Sequence, residues 1–291
     1  MFSMSTGVPS PFDLGHSLLS FDRPRVMGII NATPDSFHTD SRALQVEQAM
    51  ALAERMVSEG ADILDVGGQS SRPGAAPIPV EEECSRVLPI LEALRNRWPE
   101  LALSIDTCRA IVAEKALDYG ADIVNDIGGA RLDADMEHLL ASRNAPCILM
   151  HMQGTPEMMQ DRPAYKDVVE EVRDFLEERL RTLRKQGMQH IALDPGFGFG
   201  KTLAHNYRLL DALPELVSTG VPILVGISRK SMIHRTLDCT PQEALNGTTA
   251  LHAWALDRGA HILRVHDVAE AVECLKLHRA MASTRMVHPH D

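Results

Sequence analysis

One short phrase recurs along this sequence and limits the folds open to it. A helical stretch closes on Gly, and Ala, an Asp or His, and a short apolar run follow. It reads GADILD from Gly60, GADIVN from Gly120 and GAHILR from Gly259. A Gly lets a helix end in the left-handed region, and an apolar, β-branched run after it reads as a buried strand. Eight such runs occur: RVMGIIN at Arg25, DILDV at Asp62, LALSID at Leu101, DIVND at Asp122, PCILMH at Pro146, HIALD at His190, PILVGI at Pro222 and HILRVH at His261. Amphipathic segments such as QVEQAMALAERMVSEG, ending at Gly60, separate them.

Strands that are apolar on both faces and alternate with helices belong in a parallel sheet covered by helices. Eight of them favour a closed (β/α)8 barrel of the TIM type over an open, doubly wound sheet, which stays as the alternative. Such a barrel needs roughly 250 residues, so 291 residues hold a single domain with short tails. Residues 1–24, rich in Ser, Pro and Gly, read as a tail and barrel cap, 25–283 as the barrel and 284–291 as a second tail.

A net charge of -11 with no long basic block argues against nucleic acid as a partner. Cys84, Cys108, Cys147, Cys239 and Cys274 lack metal-ligand or disulfide spacing, which points to free thiols in a reducing compartment. The N-terminal residues lack the pattern of a secretory signal, and no apolar run reaches membrane-spanning length. The expectation is a cytoplasmic enzyme.

Active sites of such barrels lie where the strands end. The ends here are polar: Asn31, Asp65, Asp106, Asn125 with Asp126, His151, Asp194, the Ser228–Arg229–Lys230 turn, and Arg264 with His266. An isolated Asp or Asn at such a place serves equally well as a helix cap. Eight polar ends at one mouth offer more, with acceptors at Asp106, Asn125 and Asp194 and cationic donors at Lys230, Arg264 and His266. That pairing suits a ligand with a donor-rich, guanidine-like edge at one end and an anion at the other. GISRKSM places Ser231 where the seventh strand turns into a helix, a position that commonly binds phosphate in these barrels.

NATPDSF, with Asp35 and Phe37, and GGQSSRPG, with Ser71 and Arg72, are loops dense in turn formers that could cover a substrate. DPGFGFGK, Asp194 to Lys201, fits no nucleotide-binding pattern. Its glycines allow sharp turns that would offer Phe197 or Phe199 as a wall for a flat substrate.

Taken in order, NATPDSF, DVGGQSSRPGA, SIDT, IVNDI, LMHMQG, DPGFGFGK, LVGISRKS and LRVHDV resemble the dihydropteroate synthases, from about Arg25 to about Leu277. The resemblance implies transfer of a dihydropterin methylene from diphosphate to the amine of 4-aminobenzoate, with Mg2+ assisting and a homodimer as the assembly. It implies that Asp106, Asn125, Asp194 and Lys230 hold the pterin. Arg264, His266, Ser71 and Asn31 would attend the diphosphate and its metal, with Asn31 the metal ligand. Asp35 would support the developing cation, while Phe37, Phe199, Ser231 and Arg72 would receive the 4-aminobenzoate. The chain departs from the pattern after Phe37, where HTDSRAL lacks a Gly-Gly pair. Gln69 stands for the usual Glu, and Ser71 for Thr. A corrinoid methyltransferase of the same class is disfavoured, having no diphosphate to grip; a pterin-binding paralogue without catalysis is the rival from another class.

Overall fold

The computed structural model describes residues 7–32, 42–70, 76–154, 159 and 163–287. The chain opens with a small hairpin, β1 (Phe12–Asp13) and β2 (Leu18–Leu19). Then come β3 (Arg25–Asn31), α1 (Arg42–Glu59), β4 (Ile63–Gly67), α2 (Val80–Arg97), β5 (Ala102–Asp106), α3 (Ala110–Asp118), β6 (Ile123–Asp126), α4 (Met136–Arg143) and β7 (Cys147–Met150). The second half holds α5 (Val168–Lys185), β8 (Ile191–Asp194), α6 (Leu203–Asp211), α7 (Leu213–Val217), β9 (Leu224–Val225), α8 (Ser231–His234), α9 (Leu245–Asp257), β10 (Ile262–Val265) and α10 (Val268–Val287). The eight strands β3 to β10 pair in parallel in the order β8-β7-β6-β5-β4-β3-β10-β9, and a bridge from Leu193 to Ile223 joins the two ends. The sheet is therefore closed into the (β/α)8 barrel, and the open-sheet alternative falls.

The recurring phrase has a mechanical meaning. Gly60, Gly120 and Gly259 have φ of 105°, 101° and 91°, a region that side-chain-bearing residues rarely adopt. The polar residue two places on then accepts a backbone N–H from the preceding strand. Asp62 Oδ2 takes that of Val26 at 3.0 Å, Asp122 Oδ2 that of Leu103 at 2.8 Å, and His261 Nδ1 that of Ile223 at 3.1 Å. Arg23 and Arg25 bind Asp62, and Arg95 binds Asp122, so these carboxylates are neutralised at the N-terminal end of the barrel. One phrase thus ends a helix, starts a strand and secures its neighbour.

The lumen is filled in layers because alternate strand residues point inward. The lowest layer takes one apolar residue from every strand: Met27, Ile63, Ala102, Ile123, Ile148, Ala192, Leu224 and Ile262, all buried together with Phe12, Leu19 and Phe21 of the hairpin segment. The hairpin stoppers the end of the barrel opposite the strand C-termini. The alternate residues, among them Val26, Leu64, Leu103, Val124, Leu149 and Val265, join the larger core beneath the helices.

Two elements differ from expectation. PILVGI pairs only over Leu224–Val225 plus the bridge at Ile223; Pro222, which has no N–H to give a ladder, limits it on the N-terminal side. Helix α10 continues past position 283 to Val287.

Candidate active site

Two residues beyond the apolar layer, the same alternation presents Ile29, Asp65, Ser104, Asn125, Met150, Asp194, Gly226 and Arg264. Half of the ring is now ionic or amide. One step further, at the mouth, stand Asn31, Asp106, Ser228 and His266. Strand period and barrel closure therefore stack a polar floor and a polar rim on an apolar base.

Arg264 lies at the centre of the floor. Its Nε donates to Asp65 Oδ2 and its Nη2 to Asp106 Oδ2, each at 2.6 Å. Asp65 is wholly buried, and the same Oδ2 accepts from Asn125 Nδ2 at 3.0 Å. Burial alone would lower the Arg264 pKa, but Asp65 and Asp106 together hold it above its ordinary value. Asp106 is pushed up to about 7, chiefly by burial, with Asp65 and Glu83 adding to the rise and Arg264 opposing it. A carboxyl so placed is held near neutrality between acceptor and donor forms.

Asp194 sits across this layer, with Oδ1 accepting the Gly196 N–H at 2.7 Å. Burial raises its pKa while Lys230 pulls it down. Lys230 donates to the Phe197 carbonyl at 2.6 Å and lies 4.7 Å from the centre of the Phe199 ring. Desolvation lowers the lysine to about 8, with Asp194 opposing the drop. At the rim, Ser228 Oγ accepts the His266 N–H at 3.2 Å and is 3.1 Å from His266 Nδ1. Desolvation, then the positive charge of Arg264, brings the imidazole down to about 4, so it is neutral at pH 7. Asn31 is half-buried at the end of β3, and Ser231 is half-buried at the start of α8.

Asp106, Asn125, Asp194, Phe199, Lys230, Arg264 and His266 thus line one end of one barrel. Asp35, Phe37, Ser71 and Arg72 lie outside the described residues. Three of the polar strand ends belong elsewhere. Arg229, with φ of +55°, turns away and binds Asp267 through Nε at 2.8 Å and Nη2 at 2.7 Å. Asp126 is on the outward phase of β6 and accepts the N–H groups of Gly128 and Ala130. His151 is on the outward phase of β7, buried against Phe175 and Lys201. Asp65 is a floor residue whose role had not been assigned. Its signal was its place two residues after the inward Ile63.

Two surface clefts lie away from this site. One of about 390 Å³, lined by Asp13, Asp118, Asp122 and Arg143 among others, is at the hairpin end of the barrel. The chemistry is instead at the strand C-termini, where the acceptors Asp106, Asn125 and Asp194 share one mouth with the Phe199 ring and with Lys230, Arg264 and His266.

Comparison with known proteins agrees with this geometry. The family model described as "Pterin binding enzyme" matches residues 27–266, from the first barrel strand to the rim histidine. A dihydropteroate synthase of Escherichia coli K12 is 44% identical over 269 residues, covering 92% of this chain and 95% of that one. The chain belongs to the pterin-binding enzymes and, within them, to the dihydropteroate synthases. Among solved structures, the Xanthomonas albilineans dihydropteroate synthase with 4-aminobenzoic acid has a TM-score of 0.88 at 42% identity, covering 94% of this chain and 99% of that one. The same enzyme in complex with 7,8-dihydropteroate has a TM-score of 0.85 at 40% identity, with coverage of 94% and 99%.

Proposed function

We propose that this chain condenses (7,8-dihydropterin-6-yl)methyl diphosphate with 4-aminobenzoate, giving 7,8-dihydropteroate and pyrophosphate, as a transferase of folate biosynthesis. The observation that carries the reading is the polar floor and rim in which Arg264 is held between Asp65 of the floor and Asp106 of the rim, with Asn125 beside them and the Asp194–Lys230 group across the lumen. Asp106, Asn125 and Asp194 supply acceptors for the amino and ring N–H groups of a pterin, and Lys230 a donor for its acceptor side. Arg264, His266 and Ser71 attend the diphosphate. Phe37, Phe199, Arg72 and Ser231 form the place for 4-aminobenzoate, with its carboxylate near Ser231.

In the reaction the C–O bond between the methylene and the diphosphate breaks, and the oxygen keeps the electron pair. The amine nitrogen of 4-aminobenzoate forms the new C–N bond and releases its proton to water or pyrophosphate. The electron-rich dihydropterin tolerates cationic character at that carbon, so the demand on the protein is electrostatic. Arg264 and His266 meet the leaving group, the acidic residues around the ring favour the cation, and Asp35 adds to them from its loop. A neutral aromatic amine is nucleophilic without deprotonation, and no residue is assigned as base.

Among the described residues no cluster of three His, Cys, Asp or Glu side chains could hold a metal. A Mg2+ that draws most of its ligands from diphosphate oxygens and water, with Asn31 as one neutral protein ligand, fits that donor set. When bound it would neutralise charge on the departing diphosphate.

The assembly follows as a homodimer through barrel helices. Trp254 on α9 and Leu277 and Met281 on α10 are exposed apolar groups on helices that pack on one another, which supports a partner there. No described helix is long and apolar enough to cross a membrane, and with the free thiols this supports a cytoplasmic setting.

The test is an assay with dihydropterin diphosphate, radiolabelled 4-aminobenzoate and Mg2+, following pyrophosphate and labelled product. Product that requires all three is expected. Pterin binding without product would replace this reading with that of a non-catalytic pterin binder.

A further inference from the structure

We infer that Lys201 is a positioning residue for the pterin-facing wall: its buried ammonium group pins the β8–α6 loop in the shape that presents the Phe197 carbonyl and the Phe199 ring to Lys230. The inference rests on the pterin site proposed above and assigns a task to a side chain that touches neither substrate.

Lys201 is 4% exposed, which is rare for a lysine with no ion-pair partner among the described residues; desolvation lowers its pKa to about 7, with Asp194 opposing the drop. Its Nζ is surrounded by acceptors: His151 Nδ1 at 2.9 Å, and the carbonyl oxygens of Gly196 at 2.9 Å, Phe199 at 3.0 Å and His151 at 3.3 Å. An ammonium has three N–H donors, and this cage absorbs them all. His151 serves as acceptor at Nδ1 because it is neutral, its pKa brought down to about 3 by burial and then by Lys201 itself. The cage joins the end of β7 to the loop that follows β8.

The carbonyl directions explain why this matters at the site. Gly196 and Phe199 turn their oxygens back to Lys201, and between them Phe197 turns its oxygen to Lys230. Asn206 holds the Gly198 N–H at 2.7 Å, and Tyr165 donates to the Gly200 carbonyl at 2.8 Å. Gly196, with φ of +70°, lies so close to β7 that a Cβ there would be 1.9 Å from the His151 oxygen. The loop is thus pressed on the end of β7, and buried carbonyls in that contact need a donor. Lys201 supplies it. In its protonated form it has a second effect, since it attracts Asp194 from behind while Lys230 attracts it from the lumen. Burial raises the Asp194 pKa, and Lys230, Arg264 and Lys201 each oppose that rise.

Lys201→Met keeps the aliphatic stem and removes the donors. The expected result is a dissociation constant for 6-hydroxymethylpterin, by calorimetry, about 10- to 100-fold above that of the unaltered protein, the scale for loss of a charged hydrogen-bond hub. Affinity for inorganic pyrophosphate, which meets the Arg264 and His266 side of the mouth, should stay within about threefold. A general structural role would weaken both ligands alike or only lower the melting temperature, and either result would overturn the inference. Should Lys201→Met fail to fold, His151→Asn and His151→Leu decide. Asn places an oxygen where Nδ1 stands and should restore pterin affinity to within about threefold, while Leu should not; equal affinities in the two would overturn the inference. If the unaltered protein binds no pterin, the functional reading itself fails, which is a separate and earlier outcome of the same experiment.

Discussion

Removing the Arg264 guanidinium should destabilise the protein by an amount that grows with pH. Asp65 has no exposed side-chain surface, and Asp106 and Arg264 keep 15% and 19%. Breaking a buried pair by deleting one partner costs about 3–5 kcal/mol. Here partial exposure and the capacity of Asp106 to take up a proton should reduce this to about 2 kcal/mol near pH 6. Asp106 already stands at about 7 through burial, with Arg264 opposing the rise, so its loss moves the carboxyl higher still. An acid whose folded pKa exceeds its unfolded value of about 3.9 binds the extra proton when folded. Its contribution therefore declines from about pH 4 up to the folded pKa and is level beyond. In the parent the decline ends near 7, and in Arg264→Met it continues above that. The gap between the two should widen between about pH 7 and pH 9 by about 1.4 kcal/mol per unit of further shift. For a chain of this size that is about 2–4 °C in melting temperature per unit. Thermal melts of both proteins across that range, with the Arg264→Met/Asp106→Asn double variant losing the widening, provide the assay. A gap that stays constant with pH would refute the account of Asp106 as the acid that Arg264 restrains.

Lys230→Met should lower turnover by about 100-fold or more while melting close to the parent, because the lost group meets the ligand and is costly to bury; steady-state kinetics and circular dichroism check this. The pH profile of kcat/KM for the pterin diphosphate should be a bell. It falls on the acid side as Asp106, at about 7, gains a proton and ceases to accept, and on the basic side as Lys230, at about 8, loses its charge. Asp106→Asn should abolish the acid limb; an unchanged limb would assign it to another group. Leu224→Ala, in the apolar layer, should cost about 3 kcal/mol in urea unfolding and leave KM for both substrates unaltered. Chelation of Mg2+ should stop turnover yet leave 6-hydroxymethylpterin binding intact, since that ligand brings no diphosphate for the metal; calorimetry with and without chelator tests it.

The eight strands, their helices and the class of the protein are legible in the residues alone, because each depends on local periods and on motifs read in order. The apolar runs from Arg25 to His266 are all present as strands, and the repeated Gly-Ala-Asp or Gly-Ala-His phrase marks where three of them start. The same period also held information about the site. Counting by twos from Ile63, Ile123 and Ile262 reaches Asp65, Asn125 and Arg264, and counting from Ile148 passes over His151. Which side of the wall each polar strand end faces, and whom it meets, is set by the closed barrel. Arg229 and Lys230 are adjacent, yet a left-handed backbone at Arg229 sends one to Asp267 and the other to the lumen. Arg264 meets Asp65 and Asp106 across a closed barrel, over sequence separations of 199 and 158 residues. Lys201 ends a glycine-rich segment, and its burial depends on β7 lying beneath that loop. Long-range burial and charge pairing have no local period, so no stretch of sequence encodes them alone. They exist once the barrel closes and brings the strand ends within hydrogen-bond distance.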